Sequence, residues 1–207
     1  MLGLNSFSSL YLKALLNSFK DGFDETVDKF GLVRSEFREI YDRLGGMLAS
    51  KDFREEIIEI LLYRGESPED IAELIEWQDF EYLVYRFLEA RGFRVFRGVR
   101  VPRTRYEVDL VAFGGPLNSC LVVECKRWSR IPSPSQLRRI VDALVMKATA
   151  LKSLYTDECS RMVPMVVMLR KGKQVYVEYV PIIPINFLKN FLGELASLIL
   201  DGGVRVI

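Results

Sequence analysis

Residues 106–111 read YEVDLV and residues 121–126 read LVVECK, and these two stretches decide the fold. Both alternate apolar and charged residues, as β-strands with one solvent-facing side do. Residues 114–118, GGPLN, lie between them and are typical of a hairpin connection. Antiparallel pairing about this connection predicts that Asp109 faces Glu124 and that Glu107 faces Lys126.

The charged residues of this hairpin predict a reactive patch. Residues two apart on a strand share a face, so Glu107, Asp109, Glu124 and Lys126 are expected close together. Three carboxylates beside apolar strands are unfavourable unless a cation or a function compensates them. Two facing carboxylates suit Mg²⁺, and a nearby lysine can orient a water or stabilise charge in a transition state. The pattern indicates metal-assisted phosphodiester hydrolysis; the alternative is an exposed strand face with incidental salt bridges.

The hairpin and its flanking helices resemble the PD-(D/E)xK, or restriction-endonuclease-like, nuclease superfamily. The resemblance is closest to the Mrr-like and archaeal Holliday-junction-resolvase-like branches and covers residues 77–180. Asp109 stands where the family has its Asp, and Glu124-Cys125-Lys126 matches the (D/E)xK element. Val108 stands where the name of the motif has Pro, which is a frequent substitution.

This resemblance implies a division of roles around one metal site. Asp109 and Glu124 would hold Mg²⁺, for which Mn²⁺ can substitute, and the Cys125 carbonyl would be a further ligand. Lys126 would act on the attacking water. The implied enzyme is a metal-dependent endonuclease that hydrolyses DNA in repair, recombination or restriction.

Two further residues are assigned by the same resemblance. Glu81 takes the place of an upstream helical Glu that assists through water or a second metal. Gln136, at the start of the next helix, occupies a position that is often polar in these enzymes. Periodicity places Glu81 at the border of an apolar helical face, where it either points into a cleft or is an ordinary solvated first-turn Glu. That face consists of Phe80, Leu83, Val84, Phe87 and Leu88.

The charge distribution predicts where nucleic acid binds. The chain has a net charge of +1, but residues 1–90 hold 10 Lys and Arg against 19 Asp and Glu, whereas residues 91–139 hold 11 against 3. A basic block around the hairpin is the pattern expected of a protein that contacts phosphates, although the acidic segment could instead dock on it. The residues predicted to contact DNA are Arg103, Arg105, Arg127 and Arg130.

Composition excludes several other classes. The chain has no histidine, which excludes His-dependent triads, HNH-type nucleases and His-liganded zinc. No run approaches the roughly 18 apolar residues of a membrane helix, and no signal peptide is evident at the N-terminus. The three cysteines form no CxxC motif and are expected to be reduced thiols in a cytoplasmic protein.

The predicted architecture is α/β: a mixed central sheet flanked by helices, preceded by an all-helical lobe. We expect the lobe at residues 1–75, with helices near 5–20, 22–30, 35–48, 52–63 and 67–76, and the nuclease domain at residues 76–207. Strands are predicted at 93–101, 162–169 and 174–180 besides the hairpin, and helices at 134–154 and 187–200. The strand–helix–strand order after the hairpin predicts a parallel pair.

Two other functions stay open at this stage. The domain could be a non-catalytic nucleic-acid-binding module in a larger assembly, or a protein-interaction subunit whose acidic lobe binds a basic partner. A homodimer is plausible for the enzyme because cutting two strands needs two sites, and no membrane contact is expected.

Overall fold

The computed structural model describes residues 3–101, 104–126, 128, 132–169 and 173–207. It has the predicted α/β architecture, with helices at the N-terminus and a mixed six-stranded sheet. The chain divides into two compact units, Met1–Leu83 and Val84–Ile207. The predicted domain boundary at residue 75 stays a prediction.

The first unit is helical, as the sequence predicts. Its helices are Ser9–Asp21 (α1), Phe23–Phe30 (α2), Arg34–Leu44 (α3), Lys51–Tyr63 (α4) and Pro68–Leu74 (α5), with 3-10 turns at Leu4–Ser6 and Gly45–Ala49. The Ser67 side chain accepts a hydrogen bond from the Asp70 backbone N–H at 3.1 Å, and Pro68 opens α5. This N-cap, with proline in the first turn, begins the helix that is predicted near residues 67–76.

A buried ion pair lies in the core of this unit. Arg54 Nε donates to Asp79 Oδ2 at 2.8 Å, and the two residues are 2% and 1% exposed. The Arg54 guanidinium also donates to the Leu48 carbonyl and lies 4.2 Å from the centre of the Phe19 ring. Within the part of the chain that the structure describes, Asp79 Oδ1 has no hydrogen-bond partner. Burial raises the pKa of Asp79, although the hydrogen bond and charge of Arg54 act in the opposite direction.

The sheet lies in the second unit. Helix α6 (Trp77–Glu89) leads to strands Arg94–Arg100 (β1), Glu107–Gly115 (β2) and Ser119–Lys126 (β3); helix α7 (Pro134–Lys152) follows, then strands Arg161–Met168 (β4), Val175–Val177 (β5) and Val180–Pro184 (β6), and helix α8 (Ile185–Leu200). The strand order is β1-β2-β3-β4-β6-β5. Pairing is antiparallel from β1 to β3, parallel for β3–β4 and β4–β6, and antiparallel for β5–β6. The predicted parallel pair is β3–β4, joined by the α7 crossover.

The core of the second unit forms between α7 and one face of the sheet. Val141 and Leu144 of α7 belong to one buried cluster with Val122 of β3 and Val166 of β4. From Met162 onward every residue of β4 is buried, as its continuous apolar run predicts. The predicted apolar face of α6 is also buried.

The prediction of a single strand at residues 174–180 is wrong. The structure has two strands there, β5 and β6, joined by Glu178 and Tyr179 with φ of 49° and 64°. Val177 pairs with Val180, so Glu178 and Tyr179 form a two-residue hairpin turn. Both turn residues have left-handed backbone conformations. Such turns favour Asn-Gly and similar pairs, and a Glu-Tyr turn lacks that signal.

The expectation of three reduced thiols is also wrong. Cys120 of β3 and Cys159, which precedes β4, form a disulfide with Cα atoms 5.9 Å apart. They are 39 residues apart in sequence, and the α7 crossover returns the chain beside β3. Cys125 is buried in the same strand.

None of the helices among the described residues is long and apolar enough to cross a membrane.

Candidate active site

The β2–β3 hairpin has the predicted register. Leu110 pairs with Val123 and Val111 with Val122, so Asp109 and Glu124 are the next residues along the two strands. The backbone pairing of the two strands ends at Leu110 and Val123. Beyond it the Asp109 side chain connects the strands, because its Oδ2 accepts from the Cys125 N–H at 2.6 Å. Two carboxylates therefore emerge at adjacent positions at the end of the strand pair.

Glu124 lies between two lysines. Its Oε1 accepts from Lys126 Nζ at 2.6 Å and its Oε2 accepts from Lys147 Nζ at 2.9 Å. The side chains of Glu124 and Lys147 are each 12% exposed, whereas that of Lys126 is 31% exposed. Both oxygens of one largely buried carboxylate are thus fixed by cations, one from its own strand and one from a helix. The arrangement holds the carboxylate in one orientation at the edge of the core.

Lys147 was not predicted from the sequence. It lies in α7, 23 residues after Glu124, and reaches the sheet because α7 packs on the face that carries Glu124. The sequence feature that could have identified Lys147 is its position on the helix. It lies three residues after Leu144 and one before Ala148, both of which are buried. A lysine so close to the apolar face of a core helix needs an anionic partner inside.

The three predicted carboxylates do not form a metal-holding group. Within the described ranges, no group of three or more Asp, Glu, Cys or His side chains could hold a metal ion. Glu107 is exposed at the start of β2, and one of its oxygens lies 3.1 Å from where a Cβ of Gly98 would be. What remains is the pair Asp109 and Glu124, and this pair fits Mg²⁺, which is commonly bound through one or two carboxylates with waters completing its shell.

The other predicted site residues are placed as follows. Glu81 is half-buried on α6 and belongs to the first unit. Gln136 is exposed, and its side-chain oxygen accepts from the Ser133 N–H at 2.9 Å in a capping box that begins α7. Arg105 is exposed two residues before β2. The functional roles of all three remain predictions.

Three of the predicted DNA contacts, Arg103, Arg127 and Arg130, lie outside the described residues. The part of the basic block that is described includes Arg94, Arg97 and Arg100 of β1.

The family comparison agrees with this geometry. Residues 72–157 match the model of a restriction endonuclease family, Mrr_cat. This segment is therefore similar to the restriction endonucleases. The restriction-endonuclease-like segment contains α6, the β1–β3 sheet and α7, and with them Asp109, Glu124, Lys126 and Lys147. No curated protein and no solved structure shows significant similarity to the chain.

Proposed function

We propose that the protein is a metal-dependent endonuclease that hydrolyses phosphodiester bonds of DNA. The observation that supports this most is the end of the β2–β3 hairpin, where Asp109 and Glu124 occupy adjacent positions and Glu124 is held by Lys126 and Lys147. Two carboxylates with a partly exposed lysine suit metal-assisted hydrolysis. The proposed biological setting is DNA repair, recombination or restriction.

The metal would be held by Asp109, Glu124 and the Cys125 carbonyl. Mg²⁺ is the expected ion, with Mn²⁺ able to replace it, because all three ligands are oxygens. A divalent ion at this place supplies Lewis-acid stabilisation of the phosphate oxygens and makes a bound water more acidic. The Asp109 carboxylate is already fixed by the Cys125 N–H, so little reorganisation of that side chain is needed.

The two lysines have different proposed roles. Lys126 is the more exposed of the two and lies at the end of β3, so it can contact the substrate and the attacking water. There it would orient the water and stabilise the negative charge of the transition state. Lys147 is the more buried and contacts Glu124, so it acts as a positioning residue that keeps the carboxylate turned toward the metal. Glu81 and Gln136 keep the assisting roles that the family resemblance implies.

DNA is the proposed substrate because of the family and the local charge. Ten of the eleven cations in residues 91–139 are arginine, which can contact phosphates in a bidentate manner. Arg103, Arg105, Arg127 and Arg130 are the proposed phosphate contacts. A homodimer in the cytoplasm is the proposed working form, since cleavage of both strands requires two active sites.

The function can be tested by cleavage of a substrate panel. The full chain is incubated with a four-way junction, a linear duplex, a single strand and an RNA, with Mg²⁺, with Mn²⁺ or with EDTA. We expect DNA cleavage that requires the metal and is lost in Asp109→Ala. The matched control is Lys189→Ala, an exposed position on α8, which should cut as wild type does.

The alternative is the non-catalytic binding module. Binding of DNA that weakens with salt, without cleavage of any substrate by wild type, would favour this alternative. Cleavage that is unaffected by Asp109→Ala would contradict the site assignment.

A further inference from the structure

One face of β1 carries exposed residues beside the candidate active site. In the β1–β2 pairing, Arg97 lies opposite Leu110 and Val99 lies opposite Val108. Gly98 therefore lies opposite Asp109. Alternate residues of β1 share the face of Asp109 with Gly98. They are Arg94, Phe96 and Arg100, which we call the β1 strip.

The aromatic residue of the strip is exposed but held in place. Phe96 is 46% exposed, and its ring meets Phe113 edge to face, with ring centres 5.7 Å apart. The Arg94 guanidinium carbon lies 5.5 Å from the Phe96 ring centre and 5.4 Å from that of Phe113. The ring is thus oriented by its neighbours while nearly half of its surface faces solvent.

Gly98 lies between Phe96 and Arg100 in the strip. Its φ is +60°, a conformation that favours glycine, and a Cβ there would approach Glu107 to 3.1 Å. The strip therefore has no side chain of its own between Phe96 and Arg100, and the Glu107 carboxylate lies over that position.

The spacing and charge of the strip match a nucleic-acid strand. Alternate residues of a strand are roughly 6.6 Å apart, comparable with the distance between neighbouring nucleotides in an extended single strand. Arginines flank the exposed ring on both sides, and neither Arg94 nor Arg100 has an ion-pair partner among the described residues. Aromatic rings interleaved with cations are the features that bind unpaired nucleic acid, because a base must leave the double helix to stack on a protein ring.

We propose that the β1 strip binds an unpaired DNA strand next to the scissile phosphate. An unpaired base stacks on Phe96, and Arg94 and Arg100 contact the flanking phosphates. This inference rests on the proposed nuclease function and adds a substrate class to it: DNA in which a single-stranded segment joins a duplex.

The experiment compares forked with fully paired DNA of the same length. Binding by the full chain is measured by fluorescence anisotropy with Ca²⁺ in place of Mg²⁺, and 2-aminopurine in the unpaired arm reports stacking. We expect wild type to bind forked DNA about tenfold more tightly than the duplex and to quench the 2-aminopurine. Phe96→Ala should remove both effects, and Phe96→Trp should retain them.

Two further variants separate stacking from charge. Arg100→Ala should weaken binding to forked DNA and lower the dependence of log affinity on log salt by about one ion. Tyr176→Ala is the matched aromatic control, because Tyr176 is 41% exposed on β5, the opposite edge strand. It should bind and quench as wild type does.

The outcomes distinguish this inference from the proposed function. If wild type binds forked and paired DNA equally well, or if Phe96→Ala loses the same affinity for both, the β1 strip does not bind an unpaired strand. This conclusion would hold even if wild type cleaves DNA. A preference for forked DNA that depends on Phe96, without cleavage in Mg²⁺ or Mn²⁺, would support strand binding by the β1 strip. The same result would contradict the proposed nuclease activity.

Discussion

Each unit of the protein contains a carboxylate that is buried against cations, and the two carboxylates differ in what surrounds them. Asp79 is 1% exposed and accepts a hydrogen bond from Arg54, and its other oxygen has no hydrogen-bond partner among the described residues. Glu124 is 9% exposed, has both oxygens bound by lysines, and adjoins Asp109 at the end of a strand pair. The first pair is sealed within a helical core, whereas the second has an exposed cation and a second carboxylate beside it.

This difference separates a structural pair from a reactive one. A sealed pair can only affect the free energy of unfolding, because no substrate reaches it. A pair at the edge of the core can exchange partners with a metal or a phosphate. We therefore expect substitutions at Arg54 to change stability and substitutions at the lysines of Glu124 to change activity.

The largest expected effect is on catalysis at Lys126. Lys126→Ala should lower the rate of DNA cleavage by about 10²–10⁴-fold, because the group that acts on the water is lost. Its free energy of unfolding should change by less than about 0.5 kcal/mol, because Lys147 still neutralises Glu124. Cleavage rates and urea unfolding of the same preparation test both parts. A large loss of stability with an unchanged cleavage rate would mean that Lys126 belongs to a structural ion pair and not to a reactive one.

The next effect is on stability at Arg54. Arg54→Met leaves Asp79 buried without its cation and should lower the free energy of unfolding by about 3–5 kcal/mol. Urea unfolding of the full chain measures this. The control is the double variant Arg54→Met, Asp79→Leu, which removes both charges and should recover most of the loss. A double variant as unstable as the single one would contradict the explanation.

A smaller effect is expected at Lys147. Lys147→Ala should reduce activity at limiting Mg²⁺ by about 10–100-fold, because Glu124 loses the partner that orients it. Lys147→Arg keeps the charge and should restore part of the activity. Rates measured over a Mg²⁺ titration distinguish positioning from chemistry: the deficit should shrink as Mg²⁺ rises. Lys152→Ala, at the end of the same helix, is the control. A deficit that is constant over the titration would assign Lys147 another role.

The smallest effect is on the pH dependence of stability through Asp79. Because its pKa in the folded chain is raised above the ordinary value of about 3.9, the folded state binds a proton here before the unfolded state does. The contribution of this group to stability therefore increases as the pH falls through the raised pKa and is complete below the ordinary value. Urea unfolding from pH 7 to pH 4 should show the stability of wild type rising relative to that of Asp79→Asn. A difference that falls with acidification would mean that the Arg54 pair outweighs burial.

The sequence predicted local features well because they depend on neighbouring residues. The alternation of residues 106–111 and 121–126 identified the hairpin strands and their register, and the helix expected near residues 67–76 is α5. The prediction missed the β5–β6 turn because Glu178 and Tyr179 adopt left-handed conformations that their residue types do not signal.

Residues that meet across the fold were not predicted. Lys147 and Glu124 are 23 residues apart, and Cys120 and Cys159 are 39 apart. Each contact exists because α7 packs on one face of the sheet and returns the chain to a parallel strand. Local periodicity identifies the buried side of α7 but does not specify which sheet residue each position meets.

The sequence by itself determined that Asp109 and Glu124 would lie opposite each other at the end of a hairpin, because the two-residue period of strands fixes both the face and the register. Only the tertiary structure decided that Glu124 would be held by two lysines, one of them from α7. The physical reason is that strand pairing follows from local alternation, whereas the docking of a helix on a sheet depends on the packing of the whole core.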